Sequence, residues 1–300
     1  MGPETAEIVL LSERLLPEED HGNRYLAATF GIVADAIERA ARREGLLVEV
    51  VPIPALDFKH LWTDSGTIVT GHARVVGTGP REEGETLLRA RRTSRLPYDG
   101  ALVPGPALDA MAAVVGDLGH RFYYTADPHL VQLVLRQNAE AIIDNLQIPN
   151  ERREIARWYR VGPTPVHGDG LWQEPMAQPV TEMNLAFKAP FVFQLPGIKR
   201  TAIRRYVKTM RGTTMVGLLC GPFKTWPELT IAGRTLLRFW LTMAGHGVVM
   251  HPFGSMLTNP EYARLVAQQF DVPDCWLIFR FGYSDPPPQS PRLASILLEP

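Results

Sequence analysis

Short apolar runs alternate along this chain with stretches in which apolar residues recur at helical intervals. Residues 8–11 and 46–53 are apolar runs of strand length. The stretch between them begins at Arg24, with Asn23 as its predicted N-cap, and ends at Gly45. Its apolar positions have helical spacing: Leu26, Phe30, Val33, Ile37 and Ala41. A strand, a helix and a second strand in succession predict a layered arrangement of helices and sheet.

The composition is that of an ordinary globular protein. Apolar residues make up 45% and charged residues 21%, which excludes a wholly disordered, collagen-like or coiled-coil chain. Lysine and arginine number 31 against 32 acidic residues, so the formal charge of -1 gives no general attraction to nucleic acid or membrane. The longest apolar stretches are broken within about ten residues, well short of the ~20 that cross a bilayer. We therefore expect neither nucleic acid nor membrane as a partner.

The two cysteines indicate the redox environment. Cys220 and Cys275 are too few for a disulfide framework, and their separation is not a metal-ligand spacing. Residues 1–7 lack the basic and apolar segments of a secretory signal. The sequence thus predicts a reduced, cytoplasmic chain without a metal site.

The remaining patterns predict a mixture of helices and strands around two polar segments. A Gly-, Pro- and Glu-rich linker occupies residues 77–84, and a long loop occupies residues 162–179. The predicted strands are 68–76, 121–124, 214–219 and 276–283. The predicted helices are 104–113, 129–147, 150–159, 198–210, 229–245 and 260–270.

Residues 91–95 carry the strongest local signal, the sequence Arg-Arg-Thr-Ser-Arg. Arg91, Thr93 and Arg95 stand at alternate positions, and two guanidinium forks with a hydroxyl between them can hold one phosphate. The alternative is a solvated basic turn after the acidic linker. A further basic residue, Arg292, follows a stiff proline-rich arm that would deliver it to a fixed place.

Three stretches resemble the FMN-dependent nitroreductase superfamily, and most closely its Acg-type NAD(P)H nitroreductases. They are LLRARRTSRLPYDG near residue 90, AGRTLLRFWLTMAGHG near residue 240 and LIFRFGYSDPPPQSPR at the end. Weaker resemblance covers most of the chain. It implies an α+β fold with a mixed, largely antiparallel sheet flanked by helices. One chain would form an internal pseudo-dimer, with residues 1–84 as a degenerate first half and residues 85–300 as the nitroreductase-like second half.

The resemblance also implies the cofactor FMN and the residues that bind it. In the superfamily an Arg-x-Ser/Thr-x-Arg/Lys motif, a basic residue in the C-terminal arm and a glycine-rich turn contact the flavin. The matching residues are Arg91, Thr93, Arg95, Gly245, Gly247 and Arg292. His246 stands where the family has a leucine.

The beginning of the chain departs from the Acg-type pattern. Those proteins begin with a helix and an Asn-x-Gln-Pro-Trp stretch that completes the flavin pocket, and this sequence contains no such stretch. We therefore expect either an N-terminally shortened member of the family or altered flavin binding. A homodimer or a partner chain is then expected to cover the apolar surface that the stretch would cover.

The candidates for proton transfer are His246, His167 and Asp169. His246 lies beside the expected flavin. The other two belong to the loop at 162–179, which we predict to close as a lid that places Trp172 near residues 245–247. The alternatives are that the Gly-rich segment around the aspartate is a plain turn and that the histidines are structural.

These inferences predict an FMN-dependent oxidoreductase of the nitroreductase type with ping-pong electron transfer. NAD(P)H would supply electrons to a small organic acceptor, or the flavin would run a desaturation in a natural-product pathway. The sequence has neither a Gly-x-Ser-x-Gly nor a P-loop motif. The alternatives are a degenerate flavin- or ligand-binding protein without turnover, and a flavin-free enzyme that uses His246, His251 or Asp169.

Overall fold

The computed structural model describes residues 5–54, 56, 58, 66–81, 85–161, 168–177 and 179–290. Its strands are β1 (Thr5–Leu11), β2 (Leu46–Pro52), β3 (Thr67–Thr78), β4 (Arg121–Thr125), β5 (Tyr159–Arg160), β6 (Leu171–Trp172), β7 (Met215–Cys220), β8 (Val249–Pro252) and β9 (Cys275–Gly282). Its helices are α1 (Arg24–Arg43), α2 (Glu85–Ala90), α3 (Gly105–Gly116), α4 (Pro128–Asn145), α5 (Pro149–Trp158), α6 (Gln173–Met176), α7 (Val180–Lys188), α8 (Pro196–Thr209), α9 (Trp226–Gly245), α10 (Ser255–Thr258) and α11 (Pro260–Phe270).

The first sheet has the order β1-β3-β2, and both pairings are antiparallel. The predicted strand at 68–76 is β3, the central strand. Both strands that flank α1 in the sequence are therefore bonded to β3 rather than to each other. The sheet packs against α1, whose amphipathic pattern predicted this helix correctly.

The start of α1 corrects one prediction. The carboxylate of Asp20 accepts the backbone N–H groups of Tyr25 at 3.1 Å and Leu26 at 2.8 Å. Asn23 occupies the N-cap position but has a φ of 53°, and its side chain donates to the carbonyl oxygen of Phe58 at 2.7 Å. The prediction that Asn23 caps the helix is wrong, because its amide is used to hold a neighbouring segment.

The second sheet has the order β4-β7-β9-β8, with all three pairings antiparallel. Side chains of the central strand β9 alternate between two hydrophobic cores. Phe279 and Phe281 lie in the first core with α3 and α9, whereas Ile278 lies in the second core with α4, α10 and α11. Together with the flanking helices, these sheets confirm the predicted α+β class.

Helices α1 and α9 cross at very close range. A Cβ atom added to Gly31 would lie 2.0 Å from the carbonyl oxygen of Thr230, and one added to Gly233 would lie 1.8 Å from that of Ala28. The first core contains buried residues of both helices, so residues before and after position 84 share one core. The internal pseudo-dimer and its division at residue 84 stay predictions.

The described part of the predicted loop at 162–179 is ordered. Strand β6 pairs in parallel with β5, and α6 follows it directly. The prediction of an irregular loop is wrong for these residues, because Trp172 is buried and anchors the segment. Among the helices of the described residues, none has the length and apolar character needed to span a membrane.

Candidate functional site

The turn that follows α9 presents an open backbone. Helix α9 ends at Gly245, and the N–H of His246 bonds to the carbonyl of Met243 at 3.0 Å. Gly247 has a φ of 69°, a left-handed conformation that glycine adopts without strain. All three residues are exposed, so a ligand can reach the main chain of this turn.

A cleft of about 320 Å³ lies beside this turn. It is bounded by α1, α2, α3 and α9, and its lining combines apolar side chains with two arginines. The lining residues are Arg39, Leu87, Val114, Arg238, Leu241, Thr242, Gly245 and His246. This volume is at the lower end of the range for sites that hold small molecules.

Both arginines of the cleft are oriented by one buried carboxylate. Asp35 is 2% exposed and accepts hydrogen bonds from Arg39 Nε at 2.7 Å and Arg238 Nε at 2.9 Å. Burial alone would raise the pKa of Asp35, but these hydrogen bonds outweigh it and hold the pKa below its usual value. Arg234 lies next to them and forms two hydrogen bonds with Glu38, of 2.6 and 2.7 Å. The three guanidinium groups of Arg39, Arg234 and Arg238 thus pair with only two carboxylates. This side of the cleft therefore carries a net positive charge.

Arg91 lies next to the cleft. Its N–H bonds to the carbonyl of Leu87 at 2.9 Å, so it stands one helical turn from a residue of the lining. Its guanidinium lies 4.2 Å from the ring centroid of Trp240 on α9. The structure therefore brings Arg91 close to the turn at 245–247. Thr93 is half-buried and forms a parallel bridge with Met250 of β8.

Arg95 is half-buried and has other neighbours than Arg91. Its guanidinium donates to the carbonyl of Pro175 at 3.3 Å, and its charge interacts with Tyr98 and Tyr206. Tyr206 packs against the second core, whereas Trp240 beneath Arg91 packs against the first. That Arg91 and Arg95 bind one phosphate stays a prediction. Arg292 lies outside the described residues.

Asp169 is held in ion pairs. Its carboxylate accepts hydrogen bonds from Arg14 at 2.9 Å and Arg160 at 3.3 Å. Desolvation works to raise the pKa of Asp169, but the two arginines outweigh it and the pKa lies below its usual value. The indole N–H of Trp172 donates to the Asp169 carbonyl at 2.9 Å. Neither Asp169 nor Trp172 lines the cleft. His167 lies outside the described residues.

The two histidines near the turn have different surroundings. His246 is exposed at the edge of the cleft. His251 is buried in β8, and its Nδ1 accepts a hydrogen bond from Arg280 Nε at 3.2 Å. Burial lowers the pKa of His251 well below its usual value, and the charges of Arg95 and Arg280 lower it further. His251 is therefore a neutral, structural imidazole. Among the described residues, no cluster of three or more His, Cys, Asp and Glu side chains could hold a metal ion.

Comparisons with known proteins give weak likenesses only. No model of a protein family and no curated protein matches the chain. The FMN-dependent nitroreductase NfnB from Mycobacterium smegmatis, solved with NADPH, is 19% identical, with 67% of this chain and 87% of that chain covered and a TM-score of 0.36. A nitroreductase with bound FMN from Bacteroides fragilis is 12% identical, with 73% and 93% covered and a TM-score of 0.38. The FMN and NADPH-dependent nitroreductase NfnB from a Sphigopyxis strain is 15% identical, with 71% and 96% covered and a TM-score of 0.39. Likenesses at this level do not assign the chain to a family.

Two residues of the cleft, Arg39 and Arg238, were not among the site residues predicted from the sequence. A signal for one of them was present. Arg234 and Arg238 stand four residues apart in a helix that is otherwise strongly apolar, and such a pair on a buried helix needs an acidic partner. The partner, Asp35, lies 203 residues away in the sequence from Arg238, so its identity required the structure.

Proposed function

We propose that this protein is an FMN-dependent oxidoreductase of the nitroreductase type, with the flavin in the cleft beside residues 245–247. The open Gly-His-Gly turn at the mouth of this cleft is the observation that carries the proposal. The substrates proposed with it are NAD(P)H and a small organic acceptor. Reduction of that acceptor and desaturation of a natural-product intermediate are both redox reactions that this site could serve.

The residues present suit a flavin in three respects. A Cβ added to Gly245 would meet only one side-chain atom, of Leu87 at 3.9 Å, and one added to Gly247 would meet nothing within 4 Å. A planar ring can therefore approach the backbone here. Val114 and Leu241 provide apolar walls. The guanidinium groups of Arg39 and Arg238 supply positive charge for an anionic ligand, and Arg91 stands one helical turn beyond.

The flavin, when bound, supplies the hydride chemistry, and the protein supplies binding, orientation and proton handling. Arg39 and Arg238 are held in place by Asp35, so they bind a ligand without losing much conformational freedom. His246 is an exposed imidazole at the edge of the cleft, where it can exchange a proton with an acceptor. Asp169 is ion-paired, and His251 is neutral and buried. The alternative of a flavin-free enzyme with these two residues as acid and base is therefore less well supported than the flavin enzyme.

The test is titration of the purified protein with FMN, followed by the change in flavin absorbance and fluorescence. The informative variant is Gly245→Leu, which places a side chain over the open turn with little to displace. We expect it to weaken FMN binding at least tenfold, about 1.4 kcal/mol. The matched control is Gly254→Leu, an exposed glycine with nothing within 4 Å of its added Cβ, and it should leave the affinity unchanged.

The outcomes separate the alternatives. Wild-type protein that binds FMN but oxidises no NAD(P)H with any acceptor would favour a flavin-binding protein without turnover. Wild-type protein that binds no FMN would refute the proposal. Equal FMN affinity in wild type and Gly245→Leu would place the flavin elsewhere.

A further inference from the structure

The two cysteines of the chain lie opposite one another in the second sheet. Cys220 is the last residue of β7 and Cys275 is the first residue of β9, and the antiparallel register pairs them. Opposite residues of an antiparallel pair have Cα atoms about 4.5–5.5 Å apart, and a disulfide joins Cα atoms about 4.4–6.8 Å apart. The two backbone positions therefore suit a disulfide, although both cysteines are free thiols here.

This pairing depends on a β-bulge in β9. Leu219 is paired with Leu277, so a regular ladder would place the cysteine of β7 opposite Trp276. The register shifts at this point, and the two cysteines are paired instead. Trp276 lies in the first core, and its indole N–H donates to Nδ1 of His120 at 3.1 Å. Packing and a hydrogen bond thus hold the bulge that brings the cysteines together.

The two thiol groups lie on the same side of the sheet. Cys220 belongs to the second core, and Cys275 packs against that core. Their side chains interact, because a side-chain hydrogen bond with Cys220, followed by burial, raises the pKa of Cys275. Sγ of Cys275 also donates to the carbonyl of Leu277 at 3.5 Å, and a thiol is a weak donor. A disulfide would therefore replace only weak interactions.

The two sulfur atoms differ in their access to solvent. Cys220 is fully buried, whereas Cys275 is partly exposed. A small oxidant from solution therefore reaches Cys275 first, and the sulfur of Cys220 is the neighbour that can react next. Because the thiolate is the nucleophile and the pKa of Cys275 is raised, this first reaction is slow at neutral pH.

We infer that Cys220 and Cys275 form a reversible redox pair, which a hydroperoxide converts into a disulfide between β7 and β9. The sulfur of Cys275 attacks the peroxide, the O–O bond breaks, and the thiol proton passes to the leaving oxygen, which gives a sulfenic acid and an alcohol or water. The sulfur of Cys220 then attacks the sulfenic sulfur. The S–O bond breaks, and hydroxide leaves with the second thiol proton as water.

The balance of this reaction is simple. The two sulfur atoms together give two electrons to the peroxide, and a thiol reductant returns them by thiol–disulfide exchange. The reaction involves neither the flavin nor the cleft beside residues 245–247. The inference therefore does not depend on the proposed function.

The experiment treats the folded full chain with hydrogen peroxide at mildly alkaline pH. Intact mass is measured, and the remaining thiols are labelled with a maleimide after denaturation. Because the sequence has two cysteines, an intramolecular disulfide can only be this one. We expect wild type to lose the mass of two hydrogen atoms and both labelled thiols, and dithiothreitol to restore them. The oxidised protein should melt about 5 °C above the reduced protein, because the bond closes a loop of roughly 55 residues.

Two matched variants test the order of the steps. Cys220→Ala keeps the partly exposed thiol, so it should gain oxygen at Cys275 and form no intramolecular disulfide. Cys275→Ala keeps only the buried thiol, which should stay unmodified over the same time. If Cys275→Ala reacted as fast as Cys220→Ala, the proposed order would be wrong.

Three results for the wild type would overturn the inference. The first is a folded chain that keeps both thiols under peroxide, although the chain unfolded in urea forms the disulfide. The second is a disulfide that links two chains rather than the two strands of one. The third is an oxidised protein whose Tm equals or falls below that of the reduced protein, because the strands would then have to move to form the bond.

Discussion

The close crossing of α1 and α9 makes a strong and simple prediction for Gly233→Ala. The added methyl group would lie 1.8 Å from the carbonyl oxygen of Ala28 and 3.0 Å from the Cα of Gly31. A carbon and a carbonyl oxygen in close contact are ordinarily about 3.3–3.6 Å apart. The two helices would therefore have to separate by more than ~1 Å, which would disturb the first core between them.

The magnitude follows from two opposing effects. Overpacking a close contact costs about 1–3 kcal/mol, and this contact belongs at the upper end because the obstacle is backbone rather than a flexible side chain. Replacing glycine by alanine within a helix contributes about 1 kcal/mol in the other direction. The expected net loss is about 2 kcal/mol in the free energy of unfolding, or roughly 3 °C in Tm for a chain of 300 residues.

The assay is thermal and denaturant unfolding followed by far-UV circular dichroism. The control is Gly116→Ala at the end of α3, where an added Cβ meets nothing within 4 Å, so this variant should equal or exceed wild type in stability. Gly31→Ala should resemble Gly233→Ala. The variant with both substitutions should lose less free energy of unfolding than the sum of the losses in the two single variants, because the first substitution already separates the helices. A Gly233→Ala protein as stable as wild type would show that the helices do not approach this closely.

Three further predictions concern charge and assembly. Burial, followed by repulsion from Glu154, Glu151 and Asp20, raises the pKa of Glu19 to about 7. Because this folded-state pKa exceeds the ordinary value of 4.5, the stability that Glu19 contributes is present below pH 4.5 and is lost as the pH rises through 7. The free energy of unfolding of Glu19→Gln should therefore depend less on pH than that of wild type, and at pH 8 it should be about 2–3 kcal/mol higher. If the free energy of unfolding of the variant changed with pH as steeply as that of wild type, the prediction would be contradicted. Arg280→Met should lower the free energy of unfolding by about 3 kcal/mol or more, because it leaves several buried hydrogen-bond acceptors unpaired. In this variant, NMR titration should find a higher pKa for His251 than in wild type. An unchanged His251 pKa would show that Arg280 does not lower it. Light scattering at micromolar concentration should give twice the 33.5 kDa of one chain for a homodimer, whereas the mass of one chain would refute self-association.

Apolar periodicity predicted most of the elements of the fold. The spacing from Leu26 to Ala41 indicated α1, and the apolar run at 276–283 indicated β9, because burial of one stripe or one strand is a local property of the sequence. The pairing of β3 between β1 and β2 was not predictable in this way. It depends on contacts between residues far apart in the chain, such as Val9 with Val69.

The motif at 91–95 spans a change of backbone conformation that its sequence does not indicate. Alternate residues lie on one side only if the whole segment is extended. The N–H of Arg91 still bonds to the carbonyl of Leu87, four residues earlier, so Arg91 belongs to the end of α2. The extended segment begins after it, at the bridge between Thr93 and Met250. The backbone thus changes from helical to extended within five residues, and that three of these residues bind one cofactor stays a prediction.

Arg280 was not predicted as a site residue, although the sequence carries a signal for it. Arg280 interrupts the apolar stretch Leu277-Ile278-Phe279-Arg280-Phe281. If this stretch were an edge strand with one face in solvent, a charged residue in it would be common. Such a predominantly apolar strand is, however, the kind of segment that occupies the middle of a sheet, where both faces are covered. In that position a charge must meet a polar cluster within the protein or a bound counter-ion. The structure supplies the polar cluster, since Arg280 donates hydrogen bonds to His251, the Thr213 hydroxyl and the Leu96 carbonyl.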